Sequence, residues 1–315
     1  MRPSLTAHAN AQSGVITRAQ ALEQGYTPEE VRVLVRRGNW IAIRRGAYVD
    51  SSTWAGADTS RRHLLLTRAA LLAVDDESVA SHDSAAVAHR LPTWGLDLRA
   101  VMLTRPRRRT ARREAGVVHH IAELPDPHVT TAQGLPVTSA VRTALDISRE
   151  RGYEAGLVCT DAALHAGAAI ADLRKAADLM AEWPGGATSS AVALAADGRI
   201  ESPGESLTRV ILDTMSIAWE PQLRLPAVGA RADFELVGLG VIVEFDGRAK
   251  YVTKGGTPDV QALWEEKKRE DRIRELGYEF VRVYWEDLFG DRRIRTEQRI
   301  RAAIARAVAS QRLPA

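Results

Sequence analysis

The chain has 315 residues, more than one ordinary core usually fills, so two or three domains are expected. Apolar residues at 45% and charged residues at 26% exclude a wholly disordered chain, and no uncharged apolar run approaches the roughly 18 residues that a membrane helix needs. Net charge is only +3, but residues 1–75 carry 10 basic and 6 acidic groups while the rest is balanced, which points the first segment towards a polyanionic partner. The opening MRPSLTAHAN lacks the apolar centre of a signal peptide, so a cytoplasmic protein with no membrane association is expected. A single cysteine, Cys159, excludes a disulfide scaffold and a multi-cysteine zinc site, and reads as a small buried apolar residue.

Thr17 to Gly25 predicts a short helix with Thr17 as its N-cap. Thr27-Pro28-Glu29-Glu30 opens a second one, with proline in the first turn and Glu30 completing a capping box. That helix places Val31, Leu34 and Val35 on one face and Arg32, Arg36 and Arg37 largely on the other, and Gly38 ends it. Trp40 to Val49 then reads as two short strands around Arg44-Arg45-Gly46. Helix, basic helix and basic-tipped hairpin follow one another in the order of a winged helix. In that arrangement Arg32, Arg36 and Arg37 reach a DNA groove and Arg44 and Arg45 touch backbone phosphate.

The segment from Gly14 to Asp50 resembles the N-terminal domain of AbiEi-type antitoxins of type IV toxin–antitoxin systems. The resemblance extends more weakly to Ser81-His82-Asp83-Ser84-Ala85-Ala86, Leu135-Pro136-Val137-Thr138-Ser139 and Arg142-Thr143-Ala144-Leu145-Asp146. It implies a DNA-binding module that regulates its own operon, and a toxin protein as a possible partner.

The middle segment is expected to be mixed, with helices at 60–74, 83–90, 139–152, 154–166 and 170–181 and strands near 100–104 and 116–121. Between those strands six arginines fall within residues 105–113, so Arg107, Arg108 and Arg109 read as a phosphate clamp or a solvated loop. His119 and His120 are adjacent and point to opposite faces of a strand, so they cannot share a metal. His82 and His89 read as satisfied structural residues. The glycine-rich and small-residue stretch from Pro184 to Gly198 reads as a linker.

Beyond it, a helix is expected from Glu205 to about Met215, then a strand over Leu223–Ala227 and a hairpin over Arg231–Gly247. If Gly238 and Leu239 form a two-residue loop, Leu236 faces Val241 and Asp233 faces Glu244, with Asp246 on the same side. Carboxylates set side by side in a Val-Ile-Val-Glu-Phe-Asp strand repel one another and cost desolvation, which a hard divalent cation offsets. Oxygen-only ligands suit Mg2+ or Mn2+. Trp264 to Leu276 predicts an amphipathic helix burying Ile273 and Leu276, followed by a core strand over Glu279–Trp285 and a terminal helix near 294–309.

Glu201-Ser202-Pro203-Gly204-Glu205-Ser206, Ala232-Asp233-Phe234, Val243-Glu244-Phe245-Asp246-Gly247, Glu266-Lys267-Lys268-Arg269-Glu270-Asp271 and the stretch from Leu276 to Val283 together resemble the PD-(D/E)XK nuclease superfamily, in its branch related to very-short-patch-repair endonucleases. The resemblance implies that Asp233 and Glu244 hold the metal with Glu205. Asp246 stands where the superfamily has its lysine, so Lys250 is the expected replacement in the catalytic set, with Lys267 as a second candidate. The expected architecture is α/β overall: a winged helix over 1–58, an α+β middle domain over 59–195 and a restriction-endonuclease-like α/β domain with a mixed sheet over 196–315. The expected function is metal-dependent DNA cleavage. The alternative is a non-catalytic antitoxin or transcriptional regulator with a degenerate nuclease fold.

Overall fold

A computed structural model describes residues 1–74, 77–106, 112–247 and 260–311. Arg107, Arg108, Arg109 and Lys250 lie outside the described residues. The chain is mixed α/β, and no helix among the described residues is long and apolar enough to cross a membrane. It divides into two compact units: residues 1–163 with 168–195, and residues 164–167 with 196–315. The segments expected to separate near residue 58 thus belong to one unit.

The first unit opens with α1 (Pro3–Ala11), β1 (Val15–Thr17), α2 (Arg18–Glu23), α3 (Pro28–Arg36), β2 (Trp40–Arg44) and β3 (Ala47–Asp50). Both expected caps form. Thr17 accepts from the Gln20 amide and Thr27 from the Glu30 amide, and each glutamine or glutamate side chain returns a bond to its cap's amide. Those bonds hold the Glu30 carboxyl below its ordinary range. The three strands pair antiparallel in the order β1-β3-β2. Val31 is buried with Leu5, Ile16 and Trp40, and Leu34 and Val35 pack against them, as the spacing requires. α1 was not expected; its share of the core is only Leu5 and Ala9, too little to make a periodic pattern.

After α4 (Ser51–Ala55) and α5 (Thr59–Leu71) come β4 (Val79–Ala80), α6 (His82–His89), β5 (Val101–Arg105), β6 (Arg112–Glu114), β7 (Val117–Ile121), β8 (Val129–Ala132) and β9 (Leu135–Thr138). They build a six-stranded sheet ordered β6-β7-β5-β4-β9-β8, parallel at β5/β7 and β4/β9 and antiparallel elsewhere. The unit is completed by α7 (Ala140–Arg151), α8 (Tyr153–His165), whose last residues belong to the second unit, α9 (Ile170–Leu179) and α10 (Gly186–Ala195). α10 corrects the expected linker. Its alanines favour helix, and its buried Gly186, Ser189, Val192 and Ala193 are small enough to pack close to α7 and α9 without an apolar stripe. Cys159 is buried, as expected, and burial pushes its thiol up to about 12.

The second unit runs α11 (Pro203–Thr214), β10 (Trp219–Leu225), β11 (Ala230–Leu236), β12 (Val241–Asp246), α12 (Val260–Glu275), β13 (Glu279–Tyr284) and α13 (Gly290–Gln311). β10, β11 and β12 form an antiparallel meander, and β13 joins β12 in parallel after the α12 crossover. The β11–β12 register is the expected one, with Leu236 facing Val241. The loop, however, has four residues, and Gly238 and Gly240 both take left-handed φ. Ile273 of α12 packs on Ile242 and Phe280. Leu276, expected to be buried, is 43% exposed because α12 has already ended at Glu275.

Candidate functional site

The acidic cluster of the second unit lies at the C-terminal ends of β12 and β13. Side chains alternate along each strand, so Ile242, Glu244 and Asp246 share one face of β12 with Phe280 and Arg282 of β13, their register partners or neighbours. The β11–β12 ladder continues towards Asp233 and Glu244, but there the Asp233 carboxylate itself accepts the Phe245 amide at 2.8 Å. Glu244 is 7% exposed, and Arg269 of α12 grips it through two N–H groups, at 2.8 and 2.5 Å. Asp246, equally buried, accepts from Arg282 at 3.3 Å, and Arg282 also reaches Glu270 at 3.2 Å.

Glu205 sits in the first turn of α11 because Ser202 caps that helix. Its carboxylate accepts from Ser202 Oγ at 2.7 Å, the Glu201 amide at 3.1 Å and Gln222 Nε2 at 3.0 Å. Gln222 has φ +58° in mid-strand, and the β10–β11 ladder skips the pair it would make with Asp233. A non-glycine residue in that conformation inside a strand costs free energy and re-aims a side chain. Here it turns the amide towards Glu205 and leaves Gln222 Oε1 buried with no hydrogen-bond partner among the described residues.

Glu205, Asp233, Glu244 and Asp246 all offer oxygen ligands, the type that a hard cation prefers, and the Gln222 side chain beside Glu205 has an orphaned oxygen of the same kind. The acids are not drawn together as tightly as the resemblance implies. No three of them have ligand atoms mutually within 4.8 Å, and arginines hold Glu244 and Asp246. Lys267 is exposed on α12. The sequence pattern does not assign a partner to Glu244; Arg269 of α12 supplies it.

In the first unit, Arg32, Arg36, Arg44 and Arg45 line a groove of about 650 Å³ between α3 and the β2–β3 hairpin, joined by Arg18. Arg37 is exposed as the C-cap of α3 but does not line it. Arg32 pairs with Glu29 at 2.6 Å. Arg44 donates to the Ala115 carbonyl at 3.0 Å, and burial lowers its pKa.

A second constellation in that unit was not anticipated. His82, at the head of α6 with φ +47°, stacks on His120 of β7 with ring centroids 3.9 Å apart. Beside them is a cleft of about 480 Å³ whose wall also contains Thr104, Arg142, Asp146, Arg149 and Trp183. Buried Asp146 accepts from Arg142 at 2.8 Å and Arg149 at 3.0 Å, and both guanidinium groups lie over the Trp183 ring. Burial pushes His82 down to about 3 and lowers His120 as well. The expected structural reading suits His89, whose Nε2 meets the Thr138 carbonyl at 2.7 Å, but leaves the His82 pairing unexplained. The signal was present in the Ser81-His82 and Arg142–Asp146 motifs. Their convergence depends on β4 pairing with β9, which a two-residue strand does not announce.

No protein-family model matches the chain, and comparison with curated proteins finds no match.

Proposed function

We propose that the chain is a metal-dependent DNA endonuclease. Asp233, Glu244 and Glu205 would hold Mg2+ or Mn2+, and the arginine groove of the first unit would hold duplex DNA. The observation that carries the reading is Asp233 and Glu244 reaching one end of a sheet on adjacent antiparallel strands, behind a helix that supplies Glu205. The second unit also has the mixed sheet that the PD-(D/E)XK resemblance implies.

The cation, when bound, supplies Lewis-acid neutralisation of charge on the scissile phosphate and eases deprotonation of a water. Arg282, held by Asp246 and Glu270, would add positive charge beside a bound phosphate. Arg269 engages both oxygens of Glu244 and would compete with a metal for that carboxylate. The groove arginines act by counterion release and give affinity without sequence preference.

The test is incubation of supercoiled plasmid with the full chain and Mn2+ or Mg2+, beside an EDTA control. Glu244→Ala is expected to abolish cleavage and to leave the gel shift on duplex DNA intact. Cleavage by that variant at the parent rate would remove the nuclease reading.

One observation favours a second reading. The bidentate Arg269–Glu244 bond neutralises the acid that a metal would need. Under this reading the chain is a non-catalytic antitoxin or transcriptional regulator that binds DNA through the first unit and meets a toxin protein. It predicts a gel shift without metal-dependent cleavage by the parent chain.

A further inference from the structure

We infer that His82, His120 and Glu150 form a binding site for a divalent transition-metal ion of the Zn2+ class, separate from the carboxylates of the second unit. The three side chains come from three elements: the head of α6, β7 and the end of α7. One ligand atom of each residue lies within 4.8 Å of those of the other two, and among the described residues only this set of three or more His, Cys, Asp or Glu does so.

The distances separate an ion site from an ordinary hydrogen-bonded cluster. His82 Nε2 is 3.7 Å and His120 Nε2 3.9 Å from the same Glu150 oxygen. Both are too long for hydrogen bonds. These carboxylate distances are close to the roughly 3.4 Å that separates neighbouring ligands on a tetrahedral ion with bonds of about 2.1 Å, and the stacked rings, with centroids 3.9 Å apart, would splay to aim both lone pairs at one ion. His120 Nε2 is buried and has no hydrogen-bond partner among the described residues, an arrangement that native interiors rarely leave uncompensated. His82 Nδ1 meets Ser81 Oγ at 2.9 Å, and a ring that donates from Nδ1 presents its Nε2 lone pair to an ion. The left-handed backbone at His82 adds conformational cost with no glycine to relieve it, as is common where a residue is held for function.

The donor chemistry selects the ion. Two imidazoles and one carboxylate are a zinc-type set that leaves a coordination position open, and Mg2+ prefers oxygen ligands. His82 and His120 line the cleft that contains Arg149. Asp146 neutralises one charge of the Arg142–Arg149 pair, so the wall does not repel a dication with the full charge of two guanidinium groups.

Calorimetric titration of the full chain with ZnCl2, and with Co2+ followed by its visible d–d absorption, tests the site. With excess Mg2+ present to fill the oxygen-donor site of the second unit, the expected result is one tightly bound Zn2+ per chain, a Co2+ spectrum of low coordination number, displacement of Co2+ by Zn2+, and no displacement by the Mg2+. Glu244→Ala should keep the Zn2+ that excess Mg2+ does not displace, since that ion sits in the first unit. His120→Ala should lose binding, with an unchanged far-UV circular dichroism spectrum. Glu150→Gln, at an exposed position and of the same shape, should bind at least roughly tenfold more weakly, the scale of perturbing a zinc ligand or its support; it decides the matter if His120→Ala fails to fold. The proposal is overturned if the parent binds no Zn2+ or if Glu150→Gln binds as tightly as the parent. It is equally overturned if binding disappears in Glu244→Ala and persists in His120→Ala.

Discussion

Gly204 owes its place to a neighbour rather than to backbone freedom. A Cβ there would meet the Phe245 ring at 2.1 Å, and that ring is itself held edge-on by Trp285 at 5.1 Å. Gly204→Ala should therefore cost about 1–3 kcal/mol, the range for overpacking a filled core, read as a lower midpoint in denaturant. Arg269→Ala leaves the buried Glu244 carboxylate without its bidentate partner. Arg269 keeps some exposure, so a loss of roughly 2 kcal/mol is expected rather than the full cost of orphaning a buried charge. Under the nuclease reading Mn2+ should recover part of the lost melting temperature, whereas the regulator reading expects no recovery. The buried imidazoles set a pH response. His82 falls from an ordinary 6.5 to about 3 in the fold, so it stabilises the protein above about 6.5 and that contribution is lost as pH falls towards 3. Lowered His63, His120 and His128 act with the same sign. Between pH 7 and pH 5 the His82 contribution is about 2 kcal/mol, and His82→Gln should flatten the decline in melting temperature by a corresponding amount.

Elements were legible in the sequence where a local interaction defines them. Thr17 and Thr27 announce their helices because capping needs only neighbours three residues away. The β11–β12 register survived an error in loop length, because lengthening the loop by one residue at each end leaves the same pairs opposite. Elements defined by distant partners were not legible: β4 has two residues, β8 and β9 pair only with each other and β4, and α10 packs through residues too small to mark a stripe. The acids of the candidate site could be named from pattern. Their arginine partners and the bulge-like Gln222 could not, because these depend on how α12 and β10 lie against the sheet. The groove beside α3 yields its own test. Arg36 and Arg45 line it and Arg37 does not, so Arg36→Ala and Arg45→Ala should each lower the salt slope of duplex binding by about 0.9 for a lost phosphate contact, and Arg37→Ala should lower it less.

On the scale of the whole molecule, duplex binding and cleavage are assigned to different units, so their losses should combine independently. Arg36→Ala with Glu244→Ala should show the weakened gel shift of the first change and the absent cleavage of the second, with no further loss of affinity. A steeper loss in the double variant would mean that the carboxylate end of the sheet also contributes to holding DNA. The parallel pairing of β12 with β13 also has a consequence for synthesis on the ribosome. Glu244 emerges 25 residues before Arg269, and Asp246 36 residues before Arg282. At roughly 5–20 residues per second the growing chain carries these carboxylates without their cations for on the order of seconds. During that interval mutual repulsion opposes closing the meander, so the hairpin that is most local in sequence is expected to settle late, when the crossover helix delivers its arginines.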